Sequence, residues 1–103
     1  MKLTKPLPFN VTHTHRSNAR ALGVEVKRST VKGKKLDVFK AGKKVASIGA
    51  EGYWDYGLYK LGEKEGMFPK GYANRRRKLY QIRHNGEQHK EGTPGYYAWF
   101  ILW

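Results

Sequence analysis

From Leu22 to Gly49 the apolar positions recur every second residue. Val24 and Val26 alternate with Glu25 and Lys27, and Leu36 and Val38 alternate with Lys35 and Asp37. A period of two puts apolar side chains on one side of an extended chain and polar ones on the other, so this stretch predicts half-buried strands. Gly33 and the Lys40-Ala41-Gly42-Lys43 segment supply turns, and Val45 to Ile48 completes a three-stranded antiparallel meander, greasy on one face and basic on the other.

The period lengthens in the second half. Asn74 is the expected N-cap of a helix over Arg75 to His84, stopped by Asn85-Gly86, with Tyr72, Leu79 and Ile82 toward the sheet and Arg76, Arg77 and Arg83 outward. Thr93 followed by Pro94 predicts a second helix start. In that tail Tyr96, Trp99, Phe100 and Trp103 share a stripe, while Tyr97, Ile101 and Leu102 make the remainder apolar as well. One small sheet cannot cover such a helix on all sides. The expected arrangement therefore turns Trp99 and Phe100 inward and Trp103 toward a neighbour, and makes these three the candidate interface residues. Leu58 to Gly71 is rich in glycine and charge, is only weakly periodic, and predicts a loop.

Residues 1–21 carry few apolar side chains, two prolines and the polar run Thr12-His13-Thr14-His15-Arg16-Ser17-Asn18, so they predict a basic extended arm ahead of a single domain over 22–103. The expected fold is thus α+β: an N-terminal arm, a three-stranded antiparallel meander, and two short helices on one face. Ile48 to Gly57 joins its halves. Here Gly49, Gly52 and Gly57 are expected to serve positive φ or close approach, Tyr53 and Tyr56 to pack on the core, and Asp55 to accept from backbone N–H groups, forming a structural loop.

Charge alters the picture most. Twenty-one Lys and Arg against eight Asp and Glu give a net +13 over 103 residues, an excess that favours a polyanionic partner. Nucleic acid, an anionic membrane face and an acidic protein surface all qualify. The candidate contact residues are Arg75, Arg76, Arg77 and Lys78, a run of four cations with no interleaved acid, together with Arg83; Tyr72 and Tyr80 nearby offer rings for stacking. There is no recognised helix-turn-helix, zinc-finger or single-strand-binding signature.

Catalytic chemistry finds little support. The chain has no cysteine, which excludes a disulfide framework, a thiolate zinc site and a cysteine nucleophile. His84 and His89 flank Glu87, and His13 alternates with His15, but a hydrolytic metal site needs at least three converging ligands. Asp55 has no second titratable group at a defined spacing. The sequence is read as a non-enzyme with no catalytic residue, no metal and no cofactor. The N-terminus lacks the apolar run of a signal peptide, and the longest apolar run, Tyr96 to Trp103, is far short of the roughly 20 residues of a spanning helix.

Three blocks in a fixed order carry a resemblance: Lys44-Val45-Ala46-Ser47-Ile48-Gly49-Ala50-Glu51-Gly52-Tyr53-Trp54-Asp55-Tyr56, then Arg76-Arg77-Lys78-Leu79-Tyr80-Gln81-Ile82-Arg83-His84, then Thr93-Pro94-Gly95-Tyr96-Tyr97-Ala98-Trp99-Phe100-Ile101-Leu102-Trp103. Over about Lys34 to Trp103 the chain resembles small basic proteins encoded by large DNA viruses of eukaryotes and related viral genomes. That family carries a glycine-tyrosine-x-aspartate-tyrosine block, an arginine-histidine block and an aromatic tail ending in tryptophan. This chain departs from it in a longer Leu58 to Gly71 link and in Tyr97, where tryptophan is usual. The resemblance implies a viral origin, a place in the virion and in the host cell interior during infection, and a structural role in a larger assembly, bridging other virion or capsid proteins or DNA or RNA through charge. An accessory nucleic-acid binder in viral replication or packaging is the alternative, and a membrane interface is a further possible partner. It implies no catalytic residues.

Overall fold

The alternating segment folds as the antiparallel meander that its period of two predicts: β1 (Glu25–Arg28), β2 (Lys34–Lys40) and β3 (Lys43–Ala50), in the order β1-β2-β3. The register sets Val26 opposite Val38 and Leu36 opposite Ile48, so the apolar positions share one face. The computed structural model describes residues 6–103. Among these residues four helices complete the α+β fold: α1 (His13–Ala21), α2 (Tyr56–Lys64), α3 (Tyr72–Arg83) and α4 (Pro94–Ile101), with a 3₁₀ turn at Glu87–His89.

The apolar face of the sheet is covered by α1 and α4. Ala19, Tyr97, Ile101 and Leu102 pack with Val24, Val26, Leu36, Val38, Ala46 and Ile48 in one core. Thr93 caps α4 as its sequence predicts, its hydroxyl accepting from the Tyr96 N–H with Pro94 in the first turn. The buried stripe of α4 is nevertheless Tyr97 and Ile101. Trp99 is half-buried and Phe100 is 39% exposed, which corrects the expectation that these two face inward. The helix ends at Ile101, and its last two residues leave the helical stripe: Leu102 enters the core, and Trp103 turns to stack on Tyr80 at 4.2 Å.

Further expectations give way in the structure. Of the supposed extended arm, positions 1–5 lie outside the described residues, and positions 13–21 are α1. Its start is fixed by a capping box in which Thr12 Oγ1 accepts from the His15 N–H and His15 Nδ1 accepts from the Thr12 N–H. The supposed loop after Leu58 begins as α2, capped by Asp55 through the Leu58 N–H. Gly62 sits within that helix because Phe68 lies where a side chain would go: a Cβ there would stand 2.7 Å from the Phe68 ring. Gly62 is therefore a close-packed position rather than part of a permissive loop.

Helix α3 starts at Tyr72, not after Asn74. Its first N–H groups are met from outside the helix, Glu63 of α2 accepting from the Gly71 and Ala73 N–H groups, while Asn74 Oδ1 accepts from the Tyr56 hydroxyl. Because α3 packs on α2 and not on the sheet, its inner positions are Ala73 and Tyr80; Leu79 and Ile82, expected inside, are 41% and 65% exposed. The aromatic side chains between these helices form a second cluster around Tyr59, Phe68 and Ala73, bordered by Trp54, Tyr56, Tyr72 and Trp103.

The other face of the sheet is only in part the basic, solvated surface expected: Glu25 and Lys27 are exposed, but two charged residues of β2 are buried. Asp37 is buried and accepts from the hydroxyls of Ser29 and Ser47, both at 2.6 Å, and from the Thr30 N–H at 3.2 Å. Lys35 is buried as well, and its ammonium reaches Asp55.

Candidate nucleic-acid interface

The spacing of Arg76, Tyr80 and Arg83 places them on one stripe of α3. Facing that stripe are the Gly52-Tyr53-Trp54 loop and the C-terminal Leu102 and Trp103, and between the two walls runs a groove of about 710 Å³. Its walls are aromatic and cationic together. Tyr80 stacks on Trp103 at 4.2 Å and 5° and on His84 at 4.2 Å, Trp54 stacks on Tyr59 at 5.2 Å, and the Arg76 guanidinium lies 5.6 Å from the Tyr59 ring. Burial, with the nearby Glu87 carboxylate adding to it, pushes the Tyr80 hydroxyl up to about 12, so this ring stays a neutral phenol well into alkaline solution.

The five cations of the basic cluster are thereby divided. Arg76 and Arg83 line the groove. Arg77 is held over the Tyr56 ring at 3.5 Å and acts as a packing residue. Arg75 and Lys78 are exposed outside the groove. Of the expected interface residues, Trp103 lines the groove, whereas Phe100 packs edge-on against Tyr96 at 5.0 Å and Trp99 lies 6.2 Å from Tyr80.

The organising loop departs from expectation at two residues, Gly57, which lies inside α2 and is not at positive φ, and Tyr53. Gly49 and Gly52 take φ of 76° and 84°, Asp55 is a buried cap, and Tyr56 is tied to Asn74. Tyr53 does not pack on the core. It is 70% exposed at the rim of the groove, where its ring is available for contact.

Beneath the loop lies an ion pair that the sequence pattern did not disclose. Lys35 Nζ donates to Asp55 Oδ2 and to the Tyr53 carbonyl, each at 2.7 Å, with 3% and 2% of the two side chains exposed. The pair fixes the loop to β2 from both of its polar ends, and so sets where Tyr53 and Trp54 stand. The sequence signal is a lysine between Lys34 and Leu36 at a polar position of the alternation, which is indistinguishable from an outward-facing one.

His15 is buried close to this pair. Burial lowers its pKa from the ordinary 6.5; the Asp55 charge opposes that shift, and Lys35 and Arg16 reinforce it. Protonation is then easier in the unfolded chain, so the stability contributed is complete above about pH 6.5 and is lost as the pH falls below it. Urea unfolding between pH 7 and pH 5 is expected to show a fall in stability that His15→Gln flattens, glutamine being able to keep the capping box. An unaltered slope in that variant would assign the fall elsewhere.

Among the described residues, no three histidine or acidic side chains converge as a metal site; His84 Nδ1 instead pairs with Glu87 Oε2 at 2.7 Å. No helix among them is long and apolar enough to cross a membrane. Comparison with protein-family models, with curated proteins and with solved structures finds no match to this chain.

Proposed function

We propose that this protein binds single-stranded nucleic acid along the groove between α3 and the Gly52-Tyr53-Trp54 loop. The observation that carries this reading is the placement of Arg76 and Arg83 beside Tyr53, Trp54 and Trp103 in one concavity on a chain of net +13. Guanidinium groups spaced along a helix meet successive phosphates, and flat rings offer sequence-tolerant stacking to unpaired bases. A duplex keeps its bases stacked and presents only its phosphates, so it gains nothing from the rings.

The test is fluorescence anisotropy with a labelled oligonucleotide, single-stranded or duplex, across a range of salt. Replacing Arg76 and Arg83 by Gln is expected to reduce the log–log salt slope by about 1.4, roughly 0.7 for each phosphate contact on a single strand. Tyr53→Ala is expected to weaken single-strand binding by about 1–3 kcal/mol and duplex binding far less. Arg75→Gln with Lys78→Gln, outside the groove, serves as the charge-matched control. If the control pair lowers the slope as much as the groove pair, binding is a diffuse charge effect and the groove has no special role.

The virion role implied by the family resemblance is a second reading, favoured by a separate surface. Leu79 and Ile82 are exposed beside Arg75 and Lys78 on the outer side of α3, leaving an amphipathic face for another component. A bridging protein would sediment with intact particles and remain with the shell after the genome is released, whereas a replication accessory would not.

A further inference from the structure

A second concavity shares Asp55 with the groove but opens elsewhere, between the Pro8-Phe9-Asn10 stretch and α2. Its volume is about 740 Å³, within the roughly 300–1,000 Å³ of small-molecule sites. Phe9, Leu58 and Leu61 give it apolar walls, and Lys60, Lys64 and Lys70 stand around it, all three exposed.

The acids of the lining are already committed. Glu63 accepts from the Gly71 and Ala73 N–H groups through its two oxygens, and Asp55 accepts from Lys35 and from the Leu58 N–H. Among the described residues no carboxylate oxygen lies within ion-pair distance of the three ammonium groups. The Ala73 and Gly71 N–H groups, helped by nearby Lys60 and Lys70, do hold the Glu63 carboxyl below its ordinary value, but the lysines outnumber that one acid. The unneutralised charge of the cleft is therefore positive.

One inner group adds direction. His15 is 5% exposed, and because the Thr12 N–H donates to its Nδ1, the neutral ring carries its proton on Nε2. Nε2 donates to no group among the described residues. It lies 3.6 Å from where a Cβ on Gly57 would stand, so the absent side chain at Gly57 leaves room in front of it.

We infer that this cleft binds an amphipathic organic anion: a carboxylate held by Lys60, Lys64 and Lys70, an apolar ring body lying against Phe9, Leu58 and Leu61, and an acceptor oxygen on that body meeting His15 Nε2–H. Each part of the ligand answers a different feature of the wall. Charge alone would be satisfied at many points of this surface, whereas the apolar body and the inner acceptor are served together only where the rings, the leucines and His15 meet. The site does not depend on the groove, since Arg76, Arg83 and Trp103 take no part in it.

The test uses the full chain and two fluorescent probes, 6-methoxynaphthalene-2-acetate and naphthalene-2-acetate, which differ only in the acceptor. Wild-type protein is expected to bind both, the methoxy compound several-fold more tightly, with amide shifts in heteronuclear NMR gathered at Phe9, Thr12, His15, Gly57 and Leu58. Gly57→Leu, a change at an exposed helical position, is expected to fill the cleft and weaken both probes at least tenfold. Lys60→Glu with Lys64→Glu is expected to weaken the two acids while leaving neutral 2-methoxynaphthalene unaffected, and carries the test if Gly57→Leu does not fold. Undiminished binding in the variants, shifts gathered at the α3 groove, or no binding by the wild type each overturns the assignment.

Discussion

Lys35→Met is expected to lower the unfolding free energy by about 3–5 kcal/mol, the cost of leaving a buried charge without its partner. The ammonium it removes is 2.7 Å from Asp55 Oδ2 and from the Tyr53 carbonyl, and is nearly inaccessible to water. What remains is a carboxylate that must either stay ionised in an apolar surrounding or take up a proton. Adding Asp55→Asn should return most of the loss, because asparagine is uncharged and still accepts from the Leu58 N–H as the cap of α2. The coupling from the double-mutant cycle in urea is the quantity to read. A loss below about 1 kcal/mol for Lys35→Met, or a double variant no more stable than the single, would show that the pair does not hold the loop. Because the loop carries Tyr53 and Trp54, the single variant should also weaken single-strand binding at temperatures where it is still folded.

Gly49→Val is the second large effect, and two causes act in the same direction. The residue has φ of 76°, where a β-branched side chain is strongly disfavoured, at a cost of about 1–3 kcal/mol. A Cβ there would also stand 2.8 Å from Leu102 and 3.0 Å from Lys35, and overpacking of that kind adds about 1–3 kcal/mol. Gly52→Val isolates the first cause, since Gly52 has φ of 84° but open space around it. The expected order of melting temperatures is wild type, then Gly52→Val, then Gly49→Val. Equal melting for the two variants would mean that β3 shifts to make room and that Leu102 is not tightly held against the sheet.

Several of the differences between sequence reading and structure share one origin. Leu58–Gly71 is glycine-rich, charged and weakly periodic, which predicts a loop, yet it begins as α2. Gly62 is in fact helical, its missing side chain making room for Phe68, a contact that propensity cannot contain. Asn74 predicts the start of α3 because asparagine is a good cap, yet the N–H groups there are met by Glu63 on another helix. Leu79 and Ile82 would face inward if α3 lay on the sheet; it lies on α2, which turns a different stripe inward. The burial of His15 and Ala19 leaves no mark in the sequence, because a helix with two buried positions, one of them a histidine, has almost no apolar pattern to read.

The sequence by itself determined what local physics determines. Period-two alternation gave the meander and its inward face, Thr93-Pro94 gave the start of α4, Gly49 and Gly52 marked positive φ, and Asp55 marked a cap. Each depends on the residue and its immediate neighbours in the chain. Tertiary structure alone decided which helix packs on which, that Lys35 and Asp55 meet across 20 positions, and that Arg76 and Arg83 share a groove with Trp54 and Trp103 while Arg77 is held on Tyr56. These outcomes depend on which surfaces are left uncovered once the sheet has closed over α1 and α4, and packing selects among candidates that are equivalent in pattern.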